Sequence, residues 1–170
     1  MIVKKPILVG VMLLLLCFII PLHVYSIGTG QGIGIQGSFY RYQETVYGPM
    51  IITLTQDISY VTSGIYSGRT ALSIGLWVAG SISLVITTLI YLIRPDCFHP
   101  YYPQLSGFLL IGAGVLYVAS CVAQFGPRLY GSAGISLPYG GFLLMVLGIG
   151  LIIFPSFFSS FDSEKNEGII

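Results

Sequence analysis

Four apolar runs divide the chain, and each is long enough to cross a bilayer. Residues 6–25, 70–93, 105–125 and 137–154 are built mainly from Leu, Ile, Val, Phe, Ala and Gly. About 20 such residues in a helix cross a hydrocarbon core of about 30 Å. Between the first two runs lies the one long polar stretch, residues 27–69. It opens with Gly28, Gly30, Gly32 and Gly34 as a flexible lead-in. Residues 38–47 then favour a strand, Gly48-Pro49 marks a turn, and an alternating stretch follows from Met50 to Val61. The pattern predicts an all-α integral membrane protein of four transmembrane helices, with a small extracytoplasmic β-hairpin loop over 27–69. Residues 156–170 read as a disordered cytoplasmic tail.

Inside the second run, Ala71, Gly75, Ala79, Ser83 and Thr87 recur every four positions. A helix turns about 100° per residue, so these positions form one smooth, slowly drifting stripe. Lipid does not drive helices together as water does, and close backbone approach along small residues takes its place. The stripe is expected to make the second helix the hub of the bundle. Gly112 in the third run, and Gly141 and Gly148 one heptad apart in the fourth, are expected to be further packing positions.

Composition reinforces the membrane reading. The chain is 55% hydrophobic and 8% charged, with mean hydropathy +0.89. Soluble domains carry about 25% charged residues. A net charge of +1 argues against nucleic acid as a partner. Lys4 and Lys5 before the first run also suit a secretory signal peptide. The run exceeds the usual apolar length, however, and no small residue stands at the −3 position before Ser26, so a retained span is expected.

The chemistry-bearing residues are sparse. Cys17, Cys97 and Cys121 form no clip, and His23 and His99 are expected near opposite faces of the membrane, so no metal or other cofactor is expected. No Asp, Glu, Lys or Arg interrupts the four runs, which argues against a proton-coupled carrier. Gln124 is the strongest polar candidate within a run and is expected to bond a neighbouring helix. A short N-terminus, a strand-forming first loop, three further runs and a polar tail resemble the claudin-like tetraspan layout. That family's loop signature is a Trp, then Gly-Leu-Trp, then a Cys pair. Residues 27–69 hold no Trp and no Cys, and Gly75-Leu76-Trp77 falls in the second run. The resemblance therefore implies a topology alone.

Lys and Arg mark the cytoplasmic side of membrane proteins. With Lys4, Lys5, Arg94 and Lys165 inside, against Arg41, Arg69 and Arg128 outside, both termini are expected in the cytoplasm of a cell with the protein in its plasma membrane. The expected role is non-catalytic: an accessory or structural subunit that contacts lipids and binds other membrane subunits or itself. Tyr40, Tyr42, Met50, Ile52 and Leu54 are the expected partner-binding residues, because Tyr suits interfaces and one apolar hairpin face needs cover. The alternative is a passive pore or a transporter component.

Overall fold

The computed structural model describes residues 11–13, 15, 19–27, 32–93, 101–126, 130–131 and 134–155. An antiparallel sheet packs against one end of a helical bundle. Four strands come first: β1 (His23–Ile27), β2 (Gly32–Gln36), β3 (Tyr40–Thr45) and β4 (Gly48–Thr53). The helices α1 (Leu54–Thr62), α2 (Gly68–Ile93) and α3 (Tyr101–Phe125) follow. The strands β5 (Tyr130–Gly131) and β6 (Gly134–Leu137) then lead into α4 (Tyr139–Ile153). The sheet order is β4-β3-β2-β1-β6-β5.

This architecture corrects the four-span all-α expectation. Among the described residues only two helices, at Gly68–Ile90 and Tyr101–Phe125, are long and apolar enough to cross a membrane. The fourth apolar run splits: Leu137 closes β6, and α4 is a shorter apolar helix of 15 residues. The first run also changes character before its end. Val11, Met12 and Leu13 are helical, but His23 already belongs to β1. Residues 6–10 and the tail 156–170 lie outside the described residues. Hydropathy cannot separate these cases, because a strand buried on one face and a lipid-facing helix draw on the same apolar residues.

The hairpin is part of a larger sheet, and its boundaries move. The turn is Val46-Tyr47, with Gly48 at φ 105° as the first residue of β4. Gly32 and Gly34 are not a flexible lead-in but ladder residues of β2, paired with β1 and β3. Gly34 is required because the Tyr25 ring lies where its Cβ would stand. The alternating stretch expected from Met50 to Val61 ends at Thr53. There the Thr53 hydroxyl caps α1, and the Gln56 side chain accepts from the Thr53 N–H at 2.8 Å. This reciprocal pair is a capping box, with the spacing Thr-x-x-Gln. Leu54 is thus the first residue of a helix, not the end of an apolar strand face.

The central helix is α3, which packs on both α2 and α4. Against α4 it runs antiparallel, with Gly107 facing Gly148 and Gly114 facing Gly141. A Cβ on Gly107 or Gly114 would stand 2.6 or 2.5 Å from the carbonyl oxygen opposite. Against α2 the contact is polar and reciprocal. Ser73 Oγ donates to Ser120 O at 2.9 Å, and Ser120 Oγ donates to Ser73 O at 2.8 Å. The buried core runs through Leu13, Trp77, Leu84, Leu110, Tyr117 and Leu144.

The small-residue stripe on α2 is not the packing seam. Gly75 is exposed and nothing lies within 4 Å of where its Cβ would be, and the same holds for Cβ space at Gly112. Ala71, Ala79 and Ser83 are half-buried, and only Thr87 is fully buried. The buried side of α2 is instead Ser73, Trp77, Ser81 and Leu84, with Gly80 under the Tyr117 ring. Larger side chains carry this seam because α2 must fill the space beneath the sheet as well as the groove beside α3.

Candidate functional site

The sheet has two faces of opposite character, and strand register defines both. One row across the inner face reads His23, Gln36, Arg41 and Ile52, and all four are buried. The next row holds Tyr25, Gly34 and Gln43. Gln43 Nε2 donates to Tyr25 Oη at 2.8 Å. Asp57 of α1 enters this face and accepts from Arg41 Nη2 at 2.5 Å, with both side chains almost wholly out of solvent.

The middle of α2 and the end of α3 complete the inner side of the sheet. Trp77 Nε1 donates to Gly37 O at 3.0 Å, and Ser81 Oγ donates to Ser38 O at 2.6 Å. The β2–β3 turn is thereby held on the side of α2. The His23 ring meets Tyr25 and, edge-on, Phe125 of α3. Burial, aided by the Arg41 charge, lowers the His23 pKa to about 3. Burial raises the Tyr25 phenol to about 12. It also pushes the Asp57 carboxyl up, and Arg41 draws it back in part. His23 Nε2, Arg41 Nε and Asp57 Oδ2 have no hydrogen-bond partner among the described residues. No group of three or more His, Cys, Asp and Glu able to hold a metal occurs among the described residues. An arginine, a neutral histidine and a paired carboxylate brace the inner face of the sheet.

The outer face is apolar. Its central row, read through the ladders, is Leu137, Val24, Ile35, Tyr42 and Ile51. Ile51 is 65% exposed and Leu137 59%. Tyr47, at the tip of the β3–β4 turn, is 98% exposed beside Val46. The residues expected to bind a partner fall in different places. Tyr40 and Tyr42 lie on the outer face, half-buried. Ile52 points inward at 6% exposure and packs under the sheet. Met50 shares its side by alternation but lies beyond the helix cover and is exposed, and Leu54 sits at the start of α1. The register decided this: Ile51, omitted from the apolar face read from the sequence, is the exposed one, because α1 follows β4 and covers the other side.

The open edge of β4 is blunted. The Thr53 N–H is taken by Gln56 outside the ladder. Alternate residues of a strand aim their backbone nitrogens to the same side, so Pro49 and Ile51 also face the open edge. Pro49 has no N–H. Within β4, Ile51 alone offers an outward donor, too little to template an added strand. Gln124, expected to bond a neighbouring helix, accepts from Ser73 Oγ of α2 at 3.5 Å. Comparison with known proteins finds no protein-family model that matches the chain and no curated protein similar to it.

Proposed function

We propose that this chain is a non-catalytic accessory subunit of a membrane complex. It spans the plasma membrane more than once, keeps both termini in the cytoplasm and binds a partner protein with the exposed outer side of its sheet. The observation that carries the reading is the outer face: an apolar row from Leu137 to Ile51, and the Val46-Tyr47 tip, on a sheet whose inner face is already filled. Exposed contiguous apolar surface on a folded element marks an interaction site. The two helices of membrane-crossing length support the location. The buried serines of α2 and α3 bond one another rather than lining an open path, which supports a packing role over a pore.

The test is a double variant, Tyr47→Asp with Ile51→Asp, expressed in cells and extracted in mild detergent. The isolated chain keeps its melting temperature, because both residues are exposed, while the complex on a native gel becomes smaller. A complex of unchanged size overturns the reading. Ile52→Asp does not serve, since it buries a charge under the sheet and unfolds the protein.

A further inference from the structure

One layer of hydrogen bonds crosses the molecule at mid-height. The Gly140 N–H at the start of α4 donates to Leu22 O at 2.9 Å, and the Leu22 N–H donates to Gln36 O at 2.7 Å. In the adjoining β2–β3 turn, Gly37 O accepts from Trp77 and Ser38 O from Ser81, both in the middle of α2. The Leu54 N–H donates to Phe39 O at 2.8 Å, so α1 starts in the same layer. From there α1 packs on α2 and returns toward Gly68, where α2 begins. β1 leaves the layer in the same direction and passes Phe125, the last residue of α3. α1, the sheet and the first half of α2 therefore lie above the layer. The rest of α2 and all but the start of α4 lie below it, packed on α3.

The exposed surface changes character at this layer. Above it, α1 presents Thr55, Gln56, Ser59 and Thr62. Below it, every exposed residue in the stretches 82–90, 105–116 and 141–153 is apolar, Ile86, Phe108 and Val146 among them. Apolar surface of this extent on three helices is not left to water. Lipid suits it, because each helix bonds its own backbone. Lipid does not suit the other side of the layer, where the polar side chains of α1 and the strand edges would meet hydrocarbon. Exposed tyrosines stand at both limits, Tyr139 at the layer and Tyr101 at the far end of the bundle, as Tyr does at membrane faces. Between these limits α4 has 15 residues, a length of about 22 Å. An ordinary hydrocarbon core is about 30 Å thick. The missing length is not found beyond Ile93, since Arg94-Pro95-Asp96 follows it in the chain and charge is costly in lipid. A bilayer meets a short apolar band by thinning around it.

We infer that the outer surface of the bilayer crosses α2 between Trp77 and Ser81, halfway along the helix, and that lipid covers only the short apolar band below, thinning to meet it. This rests on the membrane-spanning part of the reading above and goes further, since it fixes which half of α2 and α3 lies in lipid. The test is electron paramagnetic resonance on the full chain in dioleoylphosphatidylcholine vesicles. Cys17, Cys97 and Cys121 are replaced by Ala, and one nitroxide is placed at Thr55, Leu72, Ile86 or Val146, all four exposed. Oxygen concentrates in hydrocarbon and a nickel chelate in water. The labels at Ile86 and Val146 are expected to relax mainly by oxygen, and those at Thr55 and Leu72 mainly by nickel. A preference for oxygen at Thr55 or Leu72 overturns the inference and leaves the membrane-spanning reading standing. A preference for nickel at Ile86 or Val146 overturns both. If the chain without cysteines does not fold, p-benzoylphenylalanine at the same positions of the native chain replaces the label, with lipid adducts expected at Ile86 and Val146 and not at Thr55 or Leu72; any other pattern overturns the inference. If the double variant leaves the complex unchanged while the four labels behave as expected, the partner-binding reading falls and this placement stands.

Discussion

Asp57 is the only fully buried residue of α1, and it is a carboxylate. The short helix is tied down by one buried ion pair with Arg41, beside the Leu54 N–H bond to Phe39 O and the packing of Leu54 on the core. Such a pair adds little over a well-packed apolar substitute, because desolvating two charges cancels most of the attraction. Removing one partner leaves the other buried and uncompensated. Arg41→Ala and Asp57→Ala should each destabilise the protein by about 3–5 kcal/mol, and Arg41→Leu with Asp57→Leu should cost less than either; thermal melts of the four proteins check it. His23 makes a second prediction. Its folded pKa of about 3 lies below its ordinary 6.5. The unfolded chain therefore takes up a proton that the folded chain refuses, so this contribution is complete above pH 6.5 and is lost as pH falls toward 3. From pH 7 to pH 5 the loss is about 2 kcal/mol. Asp57, with its pKa raised, works in the opposite sense over part of the same range. The measurement is therefore a difference: the stability gap between the native chain and His23→Leu should shift by about that amount over this interval, against the native chain. A gap independent of pH would contradict it.

At the scale of elements, backbone approach decides which small residues matter. The facing pairs Gly107 with Gly148 and Gly114 with Gly141 leave no room for a side chain. Gly114→Leu or Gly148→Leu should destabilise the helix pair by more than the 1–3 kcal/mol typical of core overpacking, because the obstacle is backbone. Gly75→Leu should be tolerated, since open space surrounds it. Melting temperatures in detergent separate the two classes. Thr53→Ala removes one hydroxyl from the cap of α1 and should cost about 1 kcal/mol. Hydrogen exchange confined to the first turn of α1 is the matching signature.

At the scale of the whole molecule, the prediction is sidedness. A cysteine at Tyr47 should react with an impermeant reagent added outside intact cells, and one at Ser163 only after permeabilisation. Reaction of both from outside contradicts the orientation proposed above. Ser38 does not serve as the outer label, because it is fully buried where Ser81 reaches the chain beside it.

The membrane-crossing length of α2 and α3 was written in the sequence, because a helix bonds its own backbone and needs only a long enough apolar run to be stable in lipid. The positions of β3 and of Met50 to Thr53 within β4 were legible for a similar reason, since alternation reflects a strand's local geometry, whereas Gly48 and Pro49 read as a turn and are the first residues of β4. The capping box at Thr53 and Gln56 was equally local and marks the end of β4 by itself. Everything that depends on which segment lies beside which was decided by tertiary structure. His23 and Leu137 sit in or beside apolar runs, yet both belong to strands, because β1 pairs with β6 across more than a hundred residues. The choice of Ile51 over Ile52 as the exposed residue followed from α1 folding back onto one face. The packing seam passed from Gly75 to Trp77 and Ser81, because the sheet rests on that side of α2. Periodicity shows that a helix or strand has a face; only the neighbour that comes to lie on it fixes which face is buried.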